Sequence, residues 1–161
     1  MNKHIIYYLL AVVVMGVTVW YILNNPDVKR HSVVIDPRLQ SYVEEWKSDM
    51  RANGFEPNDA IASLRSIEVG ELTDEEQLGL TKYYEHKIII DYDAIVLDNL
   101  TLRAIVYHEL GHYVFGLEHG SCELMSETSE STDYYSANWT RIKEEYITLI
   151  RSQEFETHYL R

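Results

Sequence analysis

An α+β domain behind a single N-terminal transmembrane helix is the architecture the sequence predicts, and three observations predict it. Ile5 to Leu23 runs for 19 residues without a charge. Short β-branched runs, Ser32–Ile35 and Lys87–Asp91, read as strands. Between and after them, apolar residues recur at helical spacing. The 161 residues suit one domain, and with 46% apolar and 25% charged residues wholesale disorder is excluded. Beyond residue 31, 11 basic residues face 25 acidic ones. A domain carrying about −14 repels phosphate backbones, so no nucleic-acid partner is expected. The single cysteine, Cys122, excludes an internal disulfide framework and a cysteine-rich metal cluster.

In chain order, residues 1–24 are expected to form the transmembrane anchor. At about 1.5 Å per residue the run through residues 5–23 spans roughly 28 Å, the depth of a bilayer's hydrocarbon core. Tyr7 and Tyr8 at one end and Trp20 and Tyr21 at the other suit its aromatic interfaces. The bulky residues before Asn24 do not resemble a cleavage site, which points to an uncleaved single-pass span with the lipid bilayer as a partner. Lys3 on one side nearly balances Lys29 and Arg30 on the other, and the short N-terminal tail leans towards export of the larger, extracytoplasmic part. Residues 25–31 form a polar linker, and residues 32–161 the folded domain.

That domain opens with a short strand at Ser32–Ile35. Asp36-Pro37 then begins a helix whose Leu39, Tyr42, Val43, Trp46 and Met50 share a face, with a stop at Asn53-Gly54. Leu64–Val69 is a strand candidate, Thr73–Glu76 an acidic turn, and Lys87–Asp91 a buried or edge strand. From Asp98 or Asn99, either able to cap, a helix runs to Gly116. Residues 117–136 read as irregular, and a last helix spans about Ala137–Arg151.

The chemistry is concentrated in His108-Glu109-Leu110-Gly111-His112. Two histidines four apart on a helix lie about 40° apart around its axis and roughly 6 Å along it. Both imidazoles can then reach one zinc ion at about 2.1 Å, while Glu109 on the adjoining flank is placed to hold and deprotonate a metal-activated water. His119 is the expected third ligand. On a continuous helix it would lie about 10 Å beyond His112, so the helix must end near Phe115, and Gly116 tolerates the left-handed conformation that ends helices. A downstream glutamate, Glu144 or Glu145, is the alternative third ligand. Three imidazoles favour zinc over hard cations.

This stretch resembles the zinc signature of the metzincin metallopeptidases, HExxHxxGxxH followed by a methionine turn. Gly116 and His119 each fall one place later than in that pattern. The longer spacing is similar to that of a group of small zinc metallopeptidases from bacteria and phages. The likeness extends over most of residues 33–150, including Asp36–Val43 and Ile105–His108, although only the histidine cluster is specific. It implies a twisted sheet, an active-site helix and a C-terminal helix. It implies peptide or protein substrates and a supporting methionine, for which Met125 is the candidate beside a plain hydrophobic loop anchor. Tyr134 or Tyr135 would stabilise an oxyanion, and Lys87–Asp91 would pair with an extended substrate unless it is an interior strand. Cys122 reads as a bystander.

The leading function is therefore a membrane-anchored zinc metallopeptidase with ligands His108, His112 and His119 and Glu109 as general base. A zinc amidase acting on peptidoglycan cross-links and a non-catalytic, zinc-stabilised binding module are the alternatives.

Overall fold

A computed structural model describes residues 32–74 and 77–159. The chain divides into two units, Met1–His31 and Ser32–Arg161. The second unit is α+β, with a four-stranded mixed sheet covered by helices. The strands are β1 (Val34–Ile35), β2 (Ser66–Gly70), β3 (Gly79–Lys82) and β4 (Lys87–Asp91). The helices are α1 (Gln40–Ala52), α2 (Pro57–Ala60), α3 (Tyr92–Ile95), α4 (Asn99–Phe115) and α5 (Thr132–Tyr159).

The sheet order is β1-β2-β4-β3, with β1, β2 and β4 parallel and β3 antiparallel to β4. The isoleucine run of β4 explains its central place. Ile88 and Ile90 are almost wholly buried, and the strand pairs on both sides, Ile89 with Glu68 of β2 and with Leu80 of β3. Lys87–Asp91 is thus an interior strand, which removes it as the edge that pairs with a substrate. The edge beside the histidine helix is β3, a strand that the apolar pattern of the sequence does not predict.

Helix α1 buries Val43, Trp46 and Met50 completely, and Leu39 just before it is buried as fully. It starts three residues after Pro37, because Asp36 accepts hydrogen bonds from the Arg38 backbone and guanidinium and closes a turn there instead. Helix α4 packs against β3, α1 and α5, so it is apolar on several faces, including Leu102, Val106 and Leu110. Asp98 caps it by accepting from Leu100 N at 2.8 Å and Thr101 N at 3.1 Å. Across the core, Trp46 Nε1 donates to Tyr146 Oη, which donates to the carbonyl of Tyr107. Helix α5 begins at Thr132, five residues before the expected Ala137, where Ser131 Oγ accepts from Tyr134 N.

The membrane part of the sequence expectation is corrected. Ile5–Leu23 lies outside the described residues, and among the described residues no helix is long and apolar enough to cross a membrane. The 28-residue α5 has the length, but Asp133, Arg141, Lys143, Glu144, Glu145 and Arg151 interrupt it, and no bilayer core accommodates that many charges along one helix. The transmembrane helix and the single-pass membrane location are not features of the described fold.

Candidate metal centre

Helix α4 carries the site. Its i, i+4 spacing stacks His108 over His112, with ring centroids 4.5 Å apart. The helix ends at Phe115, and Gly116 adopts φ 63° and ψ 27°, the left-handed conformation. The Gly116 amide donates to the carbonyl of His112, and the amide of Leu117 to that of Gly111. The chain thereby reverses and returns His119 to the other two histidines, its ring centroid 5.1 Å from His108 and 4.7 Å from His112. Gly120 N donates to the carbonyl of Met125 at 2.8 Å and pins this loop to the 3-10 turn Glu123–Met125.

Ring tautomers follow from backbone acceptors. His108 Nδ1 lies 2.9 Å from the carbonyl of Leu124, and His112 Nδ1 2.5 Å from that of Leu117. A carbonyl only accepts, so each Nδ1 carries the proton and each Nε2 presents a lone pair. Those Nε2 atoms face each other at 2.9 Å, and His119 Nε2 sits 3.2 Å from that of His108. A proton shared between them would charge one ring, and burial opposes that. Burial takes His108 down to about 4, with the neighbouring imidazoles acting in the same direction, and it lowers His112 as well. Neutral rings with converging lone pairs are the form in which imidazole binds a metal. A tetrahedral ion with bonds of about 2.0–2.1 Å holds its nitrogen ligands about 3.4 Å apart, close to what is found here.

Ligand atoms of the three histidines all lie within 4.8 Å of one another, close enough to bind one metal ion. Among the described residues this set contains neither Glu144 nor Glu145, and it does not include Cys122. The Cys122 side chain is buried, which raises its thiol.

Glu109 stands beside the ligands on the same helix, only 5% exposed. Thr81 Oγ1 of β3 donates to its Oε2 at 2.8 Å and also lies 3.1 Å from its main-chain carbonyl. Burial pushes the carboxyl up from its ordinary 4.5 to about 7, against the opposing pull of Thr81. Gly79 makes room for it: a Cβ there would meet Glu109 Oε1 at 2.7 Å and Cγ at 2.8 Å. Gly111 plays a matching part on another face of α4, where a Cβ would meet Met125 Sδ at 2.9 Å and the Tyr146 ring at 3.1 Å. Met125, fully buried, therefore packs directly against the backbone of the histidine helix.

These groups open into a cleft of about 810 Å³. Strand β3 forms one wall, and His119, Ser126, Glu127 and Thr128 line the cleft as well. Tyr83, at the end of β3, donates to the carbonyl of His112 at 2.9 Å and stacks on Tyr113. Tyr135 lines the cleft, its oxygen accepting from the backbone of Glu130. Tyr134 is instead engaged with Glu123 and Arg141. The contributions of Gly79, Thr81, Gly111, Tyr83 and Glu127 were not anticipated. The sequence carried no signal for them, since each acts through a partner that the fold, not the local pattern, brings beside it.

Comparison with family models, with curated proteins and with solved structures returns no match.

Proposed function

We propose that the protein is a zinc-dependent metallopeptidase of metzincin-like design. The observation that carries this reading is the convergence of three histidine Nε2 atoms beside a buried carboxyl, in a cleft walled by a sheet edge. Zinc suits an all-imidazole set, and when bound it supplies Lewis acidity, polarising a carbonyl and activating water near neutral pH.

The chain's own residues perform the rest. His108, His112 and His119 hold the ion. Glu109, the buried carboxylate beside the ligands, takes a proton from the attacking water and returns it to the leaving amine. Thr81 and Gly79 fix where that carboxyl sits. Among the described residues strand β3 pairs with β4 along one side only, so its other side offers main-chain donors and acceptors to an extended peptide. That edge favours a peptide over an isolated amide.

Metal content and hydrolysis of the full chain, measured together with and without chelator on casein and on cell-wall sacculi, test the reading. Glu109→Gln should retain zinc and lose roughly 10²–10⁴-fold in hydrolysis. Full activity in that variant, or casein hydrolysis indifferent to chelation, rejects the mechanism.

A further inference from the structure

The three imidazoles are not held alike. His108 and His112 project from a rigid helix, and each Nδ1 is met by a main-chain carbonyl, at 2.9 and 2.5 Å. His119 stands on an irregular loop and is 47% exposed. Its Nε2 faces His108, so its Nδ1 points away from the centre, and the acceptor lying there is a carboxylate, Glu127 Oε1, at 3.8 Å. Hydrogen bonds place the loop's backbone, Gly120 N to the Met125 carbonyl and Ser121 N to that of Glu118. The ring's own torsions are a separate degree of freedom, and a partner for Nδ1 is what fixes them.

We propose that Glu127 is a positioning residue of the metal centre, the carboxylate that takes the Nδ1–H of His119 and fixes the tautomer and orientation in which its Nε2 binds the ion. This rests on the metal-binding half of the function proposed above and not on hydrolysis. Closing the gap from 3.8 Å to a charge-assisted hydrogen bond of about 2.8 Å requires a movement of about 1 Å. Glu127 is able to make it, because its side chain is 79% exposed and no core packing restrains it. Its backbone is placed by the turn in which Thr128 N donates to Ser126 Oγ at 3.4 Å. A negative charge on Nδ1–H also raises the basicity of Nε2, which a neutral carbonyl does more weakly. The ligand whose Nδ1 meets no main-chain carbonyl is thus the one given a carboxylate.

The test is zinc affinity of the full chain, by competition with a chelating dye, for the wild type, Glu127→Ala, Glu127→Gln and Glu118→Gln. Outer-sphere partners of metal-binding histidines are worth about 10–100-fold in affinity, so Glu127→Ala should bind zinc that much more weakly. Glu127→Gln keeps an acceptor without the charge and should fall between. Glu118→Gln removes the same charge from the residue next to His119 and should bind as the wild type does. In chelator, thermal melting of all four should coincide, which separates a role at the metal from a role in folding. Equal affinity of Glu127→Ala and the wild type overturns the assignment. So does equal weakening in Glu118→Gln, which would reduce the effect to the loop's overall charge. If the wild type itself takes up no zinc, the proposed function fails first. If the wild type binds zinc and Glu127→Ala and Glu127→Gln bind it equally well, the function stands and this inference alone is lost.

Discussion

Gly79→Ala adds one methyl group to an edge strand and should disable the site without emptying it. The new Cβ would lie 2.7 Å from Glu109 Oε1, 2.8 Å from Cγ and 2.9 Å from Cδ. Ordinary contact begins near 3.4 Å, so the side chain must retreat by about 0.5–0.7 Å along its length. A tip alone could swing aside, but Cγ is hit as well, so Glu109 must change rotamer and give up its 2.8 Å hydrogen bond from Thr81. Misplacing a catalytic group by about 1 Å can cost 10²-fold, which puts the expected loss of kcat at roughly 10–100-fold. Overpacking should lower stability by about 1–3 kcal/mol, too little to prevent folding. Zinc content should stay at the wild-type level, because the three atoms nearest the new methyl group all belong to Glu109 and none to a ligand imidazole. The assay pairs peptide hydrolysis with metal analysis on the same preparation. Gly70→Ala is the control: it lies in the same sheet, and its Cβ meets only Ile89 Cγ2, at 3.2 Å. Hydrolysis by Gly79→Ala within about twofold of the wild type would refute the placement of Glu109 as the proton acceptor.

Gly116→Ala should destabilise the chelated protein by about 1–2 kcal/mol in urea unfolding, because φ 63° is strained for alanine although nothing lies within 4 Å of its Cβ; a variant as stable as the wild type would show that the reversal towards His119 does not depend on that conformation. Acid should expose opposing titrations in the metal-free protein. Glu109, raised to about 7, contributes stability that is lost as pH rises through that value, whereas His108, lowered to about 4, contributes stability that is lost as pH falls towards 4. Glu109→Gln removes the first term, so between pH 5 and 7 its stability should rise with pH more steeply than the wild type's, by roughly 2 kcal/mol over that interval. Urea unfolding at the two pH values in chelator measures this, and parallel slopes would contradict it.

What the sequence made legible is what acts locally. The i, i+4 spacing of His108 and His112, the glycine at 116 and the return of His119 follow from helix geometry and one backbone conformation, and the structure brings these three rings together. Lys87–Asp91 was readable as a strand because β-branched residues fill it. Strand β3 was not, since Gly79-Leu80-Thr81-Lys82 offers one strongly apolar residue and takes its extended form from pairing with β4. Without β3 the sequence left Lys87–Asp91 open as either a buried or an edge strand, and pairing on both sides decides for the interior. The starts of α1 and α5 moved for a local reason of another kind: Asp36 and Ser131 turn the chain with side-chain hydrogen bonds that an apolar repeat does not register. The link between His119 and Glu127 was hidden because it depends on how a loop folds back.

Glu109 has a cost that bears on the whole reading. A carboxyl moved from 4.5 to about 7 by burial is worth about 3 kcal/mol against the folded state above neutral pH. An apolar side chain would escape that penalty. The fold nevertheless shapes itself to the carboxyl, removing the Cβ at 79 and supplying one hydroxyl, from Thr81. A metal site serving only to staple the loop to the helix needs His108, His112 and His119 and gains nothing from Glu109. A site that activates water needs a base at this position, and burying one carboxyl beside the histidine cluster supplies it. The energetic penalty at Glu109 is one that the proposed catalytic role would explain and a purely structural metal site would not.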